Sequence, residues 1–265
     1  ARTRYHPNPL PTFIQERYGI ILSDADCNDL AHRGSWSKNK WVSVENENID
    51  HLKPVLQDLY ARILQHAQAE RPGLLAYLDS QQFGSNTSAI VDIGYAATVQ
   101  GQLNALTHQA IHGYYLLTQK RAQAVESKYQ VFARGCFGQS IDPAHHPNLP
   151  LIYLESFILE KLLSSDDAQV VCYRQTATGD AIPQFRPLAE KERQSATIRA
   201  EIRQGIFEFV EQAIAIRENI VEDFTIPLDV ATTITHEFIA HISSSEKRIL
   251  QSLLLDDHYC GRGLL

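Results

Sequence analysis

The run Ala89-Ile90-Val91-Asp92-Ile93-Gly94-Tyr95-Ala96-Ala97-Thr98-Val99-Gln100-Gly101 admits few backbone conformations. Its first residues are apolar and β-branched, which predicts a short central strand over Ala89–Gly94. The strand ends in Asp-x-Gly, turns through small residues, and enters a helix predicted over Thr98–His108 with Thr or Ala at its cap. Such a turn leaves backbone N–H groups and a helix N-terminus beside the carboxylate of Asp92. In open α/β sheets that is where ligands bind, and phosphate or a phosphorylated sugar is the ligand such a place favours. The competing role is structural: Asp92 caps the helix and Gly94 relieves a tight turn.

Downstream, Ala110–Leu117 reads as a second strand, parallel to the first through a right-handed crossover. Together they form a βαβ unit, and Tyr129–Gly135 is a candidate third strand. The expected class is α/β, a Rossmann-like parallel sheet with a helical C-terminal portion. The boundary falls at 187/188: 1–187 for the α/β domain, and 188–265 for helices predicted over Glu190–Asn219, Leu228–Ile242 and Ser244–Leu255.

Upstream, Gly19–Ser23 reads as a short buried strand that delivers Asp24-Ala25-Asp26-Cys27-Asn28. Carboxylates at i and i+2 after a strand can chelate a divalent cation, which makes Asp24 and Asp26 the candidate metal ligands and Mg²⁺ the candidate ion. The pattern is near the D-x-D-x-[TV] of haloacid-dehalogenase-type phosphatases, with Asn28 departing at the last position. It also resembles the D-x-D of nucleotide-sugar transferases, although only 23 residues precede it. A polar turn satisfying backbone N–H groups is the third reading. His32–Asn48 reads as a surface loop. A helix follows from Asp50 to about Ala69, then a separate helical piece after Pro72. Leu151–Leu163 reads as one helix, and Gln169–Tyr173 with Ala181–Phe185 as a hairpin.

The chain carries 31 Asp and Glu against 24 Lys and Arg, a net charge of −7, which gives no basic surface for nucleic acid. Cys27, Cys136, Cys172 and Cys260 stand far apart without C-x-x-C, as expected of reduced thiols in a cytoplasmic protein. No run is long enough for a transmembrane segment, and the first residues contain no apolar signal region. The absence of Met fits either an excised fragment or a sequence from which modified methionines have dropped out. His236 and His241 fail the zincin spacing by one residue, so they splay around a helix. His145 and His146, beside Pro147, read as solvated.

Several separate pieces run in the order of a known family. They are Glu70-Arg71 with Leu74–Leu78, Val91-Asp92-Ile93-Gly94-Tyr95 with Thr98 and Gln100, Gly113–Leu116, Leu159-Glu160, and Gln204-Gly205-Ile206. Over roughly residues 65–260 the chain resembles the C-terminal region of bacterial predicted haloacid-dehalogenase-superfamily hydrolases that accompany glycosyltransferases in surface polysaccharide clusters. The family pattern is V-D-I-G-[WY]-x-G-T-x-Q, and Ala97 stands where the family has Gly. The phosphatase domain of those proteins, with its own F-D-[IV]-x-D-T motif, is not in this chain. The resemblance implies a pocket of Asp92, Gly94, Tyr95, Thr98 and Gln100, with Arg71 and Glu160 near it. Thr98 and Arg71 would hold phosphate oxygens, and Asp92 or Glu160 would bond sugar hydroxyls or act as a base. Arg71 and Glu160 could equally pair with each other.

The resulting expectation is a glycosyltransferase-type module that takes a phosphorylated or nucleotide-activated sugar and a glycan acceptor. The alternatives are an Mg²⁺-dependent phosphatase using Asp24 and Asp26, and a non-catalytic interaction or acceptor-binding module.

Overall fold

The computed structural model describes residues 4–37, 39–45, 48–84, 88–145 and 151–254. The chain forms two compact units that interleave in sequence: residues 2–81 with 167–192, and 82–166 with 193–254. The sequence-based boundary at 187/188 falls inside the segment that returns to the first unit.

In the first unit, β1 (Arg4–Pro9) pairs antiparallel with β2 (Trp41–Glu45), and between them lie α1 (Leu10–Tyr18) and α2 (Asp24–His32). Neither strand was expected. The prolines at 7 and 9 disguise β1, since a strand interior normally excludes them. β2 does alternate, with Val42 and Val44 buried, but is only five residues long. These strands cover a core of Tyr5, Phe13, Ile14, Leu30, Trp36 and Leu52 among others. Gly19–Ser23 is no strand. Ile20 and Leu22 are buried and Ile21 is exposed, so the alternation is real, yet the segment pairs with no strand among the described residues.

A single 3-10 turn at Asp50–Leu52 leads into α3 (Lys53–Ser80), one helix of 28 residues where two pieces were expected. Pro72 lies inside it and removes one intrahelical donor without ending the helix. Gly73 lies directly under the backbone of β6 (Val170–Gln175), which forms the expected hairpin with β7 (Ala181–Phe185). Tyr77 and Tyr173 stack at 4.8 Å beside that contact.

The second unit is built on β3 (Ser88–Asp92), α4 (Thr98–Thr107), β4 (Ile111–Gln119), α5 (Ala122–Tyr129) and β5 (Phe132–Ile141). All three strands are parallel, in the order β3-β4-β5. The βαβ unit is therefore present, but its expected central strand is an edge strand and β4 is central. α4 packs on α5, and Asn104 Nδ2 of α4 donates to the Tyr129 carbonyl at 2.5 Å. Both crossovers thus cover the same face. The sheet consequently has no switch point where neighbouring crossovers leave on opposite faces, and so lacks the ligand crevice such a point creates.

The remainder is helical: α6 (Leu151–Leu154), α7 (Ser156–Leu163), α8 (Glu190–Asn219), α9 (Leu228–Ala240) and α10 (Ser244–Ser252). The single helix expected over Leu151–Leu163 breaks at Glu155. The start of α8 is held in place by polar groups. Arg186 and Glu192 form a buried two-pronged ion pair at 2.7 and 2.6 Å in the first unit. In the second, Ser195 Oγ donates to the Ser252 carbonyl at 2.8 Å and Arg203 binds Asp166 at 2.5 Å.

Two helical glycines should respond oppositely to alanine. A Cβ at Gly73 would overlap the Tyr173 carbonyl, whereas one at Gly205 in α8 meets open space. Gly73→Ala should destabilise the protein by about 1–3 kcal/mol in chemical denaturation, and Gly205→Ala should stabilise it by roughly 0.5–1 kcal/mol.

Candidate functional site

The β3–α4 turn, Ile93–Ala97, is held from three sides. The Gly94 N–H donates to Asp92 Oδ1 at 2.7 Å, and the Gln119 N–H donates to the Tyr95 carbonyl at 2.9 Å. Tyr95 is buried, with its ring 5.3 Å from that of Tyr153 on α6, while Gln119 Nε2 donates to the Tyr153 hydroxyl at 2.7 Å. Ala97 is buried at φ +56°, a left-handed conformation that costs an L-residue with a Cβ and that glycine adopts freely. This gives a physical account of the glycine at that place in V-D-I-G-[WY]-x-G-T-x-Q.

α4 starts immediately after Ala97 with no side-chain cap. Helix geometry leaves the amides of its first turn without intrahelical partners, and Thr98, exposed, stands at the opening. Asp92 lies at the carboxyl end of β3 in register with Tyr115, on the helix-covered face. Burial first, then the charges of Asp92 and Glu126, push the Tyr115 hydroxyl above its ordinary range. It stays protonated and donates to Gln100 Oε1 at 3.1 Å.

Gln100 does not reach a ligand. Its side chain is fully buried, and Nε2 donates to the Ile111 carbonyl at 2.7 Å and to the Phe132 carbonyl at 2.8 Å. It lies on Gly113, where a Cβ would overlap its amide. Gln100 therefore ties α4 to two strands, and its expected substrate-binding role is replaced by this structural one. Tyr95 likewise builds the turn from within.

Asp92, Gly94 and Thr98 share the turn. Glu160 lies partly buried on α7, next in sequence to Leu159, which packs on the cluster containing Tyr95. Arg71 belongs to the first unit, exposed on α3 beside Pro72. Within the turn itself, the groups able to donate to an anion are the backbone amides at the start of α4 and the Thr98 hydroxyl.

Asp24 and Asp26 occupy the first turn of α2, not the end of a strand. Ser23 is the N-cap, and a capping box joins it to Asp26. Asp26 Oδ2 accepts from the Ser23 N–H and hydroxyl, each at 2.8 Å, and Oδ1 accepts from Arg62 at 2.8 Å. The strand that the phosphatase reading required is missing, and both oxygens of Asp26 are engaged. Among the described residues, no group of three His, Cys, Asp or Glu is placed to hold a metal ion.

His145 is exposed and pairs with Asp142 at 3.0 Å. Lys120, then His145, hold the Asp142 carboxyl down at about 2. His146 and Cys260 lie outside the described residues. Sequence reasoning did not single out His66 and Cys172, which line a groove between α3 and β6 with Glu70, Gly73 and Tyr173. Their separation along the chain leaves no local signal. No helix among the described residues is long and apolar enough to cross a membrane. No protein-family model matches the chain, and no curated protein matches it.

Two outcomes follow. Gln100→Leu removes a buried donor and leaves two carbonyls bare, so it should lower unfolding free energy by about 1–3 kcal/mol; a ligand-binding side chain would leave it unchanged. The Ser23 amide, then its hydroxyl, then Arg62 hold the Asp26 carboxyl below its ordinary range. A lowered folded pKa makes this cap fully effective above the unfolded value, with loss as pH falls through the folded one. The Ser23 amide resonance should shift as pH drops below about 4, and Asp26→Asn should abolish that titration.

Proposed function

We propose that the β3–α4 turn receives the phosphate of an activated sugar, and that the chain is a cytoplasmic glycosyltransferase-type module of bacterial surface polysaccharide assembly. Its donor is a phosphorylated or nucleotide-activated sugar and its acceptor a glycan. The observation that carries the reading is the uncapped first turn of α4 at the carboxyl end of a parallel strand. Helix N-terminal amides attract a dianion through hydrogen bonding and the helix dipole. The hydroxyl of Thr98 adds a donor at the same opening. Asp92 has the opposite preference: a carboxylate repels phosphate and suits sugar hydroxyls, which it can orient or deprotonate. Glu160 is the second carboxylate available for that work. The motif resemblance supplies the sugar and the polysaccharide context, and the turn supplies the chemistry.

Calorimetry with sugar nucleotides, phosphoribosyl pyrophosphate and simple sugar phosphates tests this directly. Thr98→Val keeps the shape and deletes the hydroxyl, so binding should weaken by about 1–2 kcal/mol. Asp92→Asn should spare affinity for inorganic phosphate while reducing discrimination among sugars. Absence of binding to the wild-type chain at millimolar ligand would overturn the proposal.

A further inference from the structure

Two apolar surfaces of the second unit lack a partner among the described residues, and they are complementary in shape class and charge. The first is the sheet face opposite α4 and α5. Register places Ala89, His112 and Phe132 in one row across it, and Val91, Tyr114 and Arg134 in the next. Val91 is 87% exposed, Phe132 55% and Tyr114 46%. Parallel sheets ordinarily carry helices on both faces, because their strands are apolar on both sides. Here, among the described residues, α4 and α5 cover one side, and Val91, Tyr114 and Phe132 stand exposed on the other.

The second surface is the C-terminal half of α8. Ile206, Phe209, Ala213, Ile216 and Ile220 recur at alternating spacings of three and four, flanked by Phe207, Val210 and Ile214. Such a stripe spans about half the helix circumference and is the pattern of a helix packed against another element. Yet Phe207, Phe209, Val210, Ile214 and Ile220 are all exposed. Glu211 and Glu218 line one border of the stripe and Arg217 falls within it, while Arg134 with His112 lies on the open sheet face.

We infer that the α8 stripe of one chain docks on the open face of the β3-β4-β5 sheet of a second copy, reciprocally, to form a two-fold dimer. A helix is what the uncovered sheet face requires, and Arg134 meets the Glu211–Glu218 border. A stable interface buries roughly 1,200–2,000 Å² in total, a size that two reciprocal helix-on-sheet contacts approach where one alone does not. Self-association of this kind is isologous: each chain contributes one helix and one sheet.

Sedimentation equilibrium on the full chain should show a dimer at micromolar concentration. Phe209→Glu on α8 and Tyr114→Glu on the sheet should each weaken dimerisation by about tenfold or more. Both side chains are substantially exposed in the single chain, so circular dichroism should stay unchanged. Arg134→Glu should weaken the dimer, and combining it with Glu211→Arg and Glu218→Arg should restore it. A wild-type monomer throughout the range overturns the proposal. So does a dimer broken by Phe209→Glu but indifferent to Tyr114→Glu and Arg134→Glu, which would mean that two α8 helices pair with each other.

Discussion

The amide of Gln100 holds the second unit together. From the first turn of α4 it reaches down to the carbonyls of Ile111 and Phe132, one on the central strand and one on the next, while the Tyr115 hydroxyl satisfies its oxygen. Three elements thus meet at one side chain. A polar group in that position costs desolvation unless every donor and acceptor is matched, and here they are. The match depends on Gly113, which leaves the space the amide fills. Because Gln100 sits two residues past the start of α4, it also fixes where the helix begins relative to β3, and therefore where the uncapped amides open.

What could be read from the chain and what could not divide along a physical line. The βαβ unit was legible because its signals are local: a β-branched run, Asp-x-Gly, a helix, and a second apolar run. Strand order is not local. Nothing within Ala89–Asp92 distinguishes a central strand from an edge one, since both faces and both neighbours are supplied from elsewhere. Gln100 was legible as special but not in its role, because a polar residue near a turn is compatible with a ligand or with a buried network. The D-x-D pair failed differently. Ser23 with Asp26 is a capping signature, and its Ser-x-x-Asp spacing overlaps the metal motif residue for residue.

Polar anchoring and apolar exposure are segregated along α8. Its first turns present Glu192, Ser195 and Arg199, all buried and all engaged, while its last turns present exposed Phe and Ile. Buried polar contacts fix a helix's direction more sharply than its packing energy would, since each bond demands one geometry. Within the second unit, Ser195 and Arg199 thus fix the early part of the helix through the carbonyls of Ser252 and Leu254, and its apolar part begins beyond them.

The interleaving of the two units has a kinetic consequence. The hairpin that lies against Gly73 and Tyr77 is made from residues translated after the whole 82–166 segment. On the ribosome the N-terminal unit must wait, with one side of α3 bare, until that hairpin emerges. The intervening segment is itself incomplete at that stage, because residues 193–254 belong to the same unit. Closing a loop of roughly 85 residues costs only about 0.6 kcal/mol more than closing one half as long, so equilibrium stability is nearly indifferent to the insertion. Folding rate is not, because contacts distant in sequence form late. Each unit is therefore completed by a segment far along the chain from where it begins, the first by 167–192 and the second by 193–254.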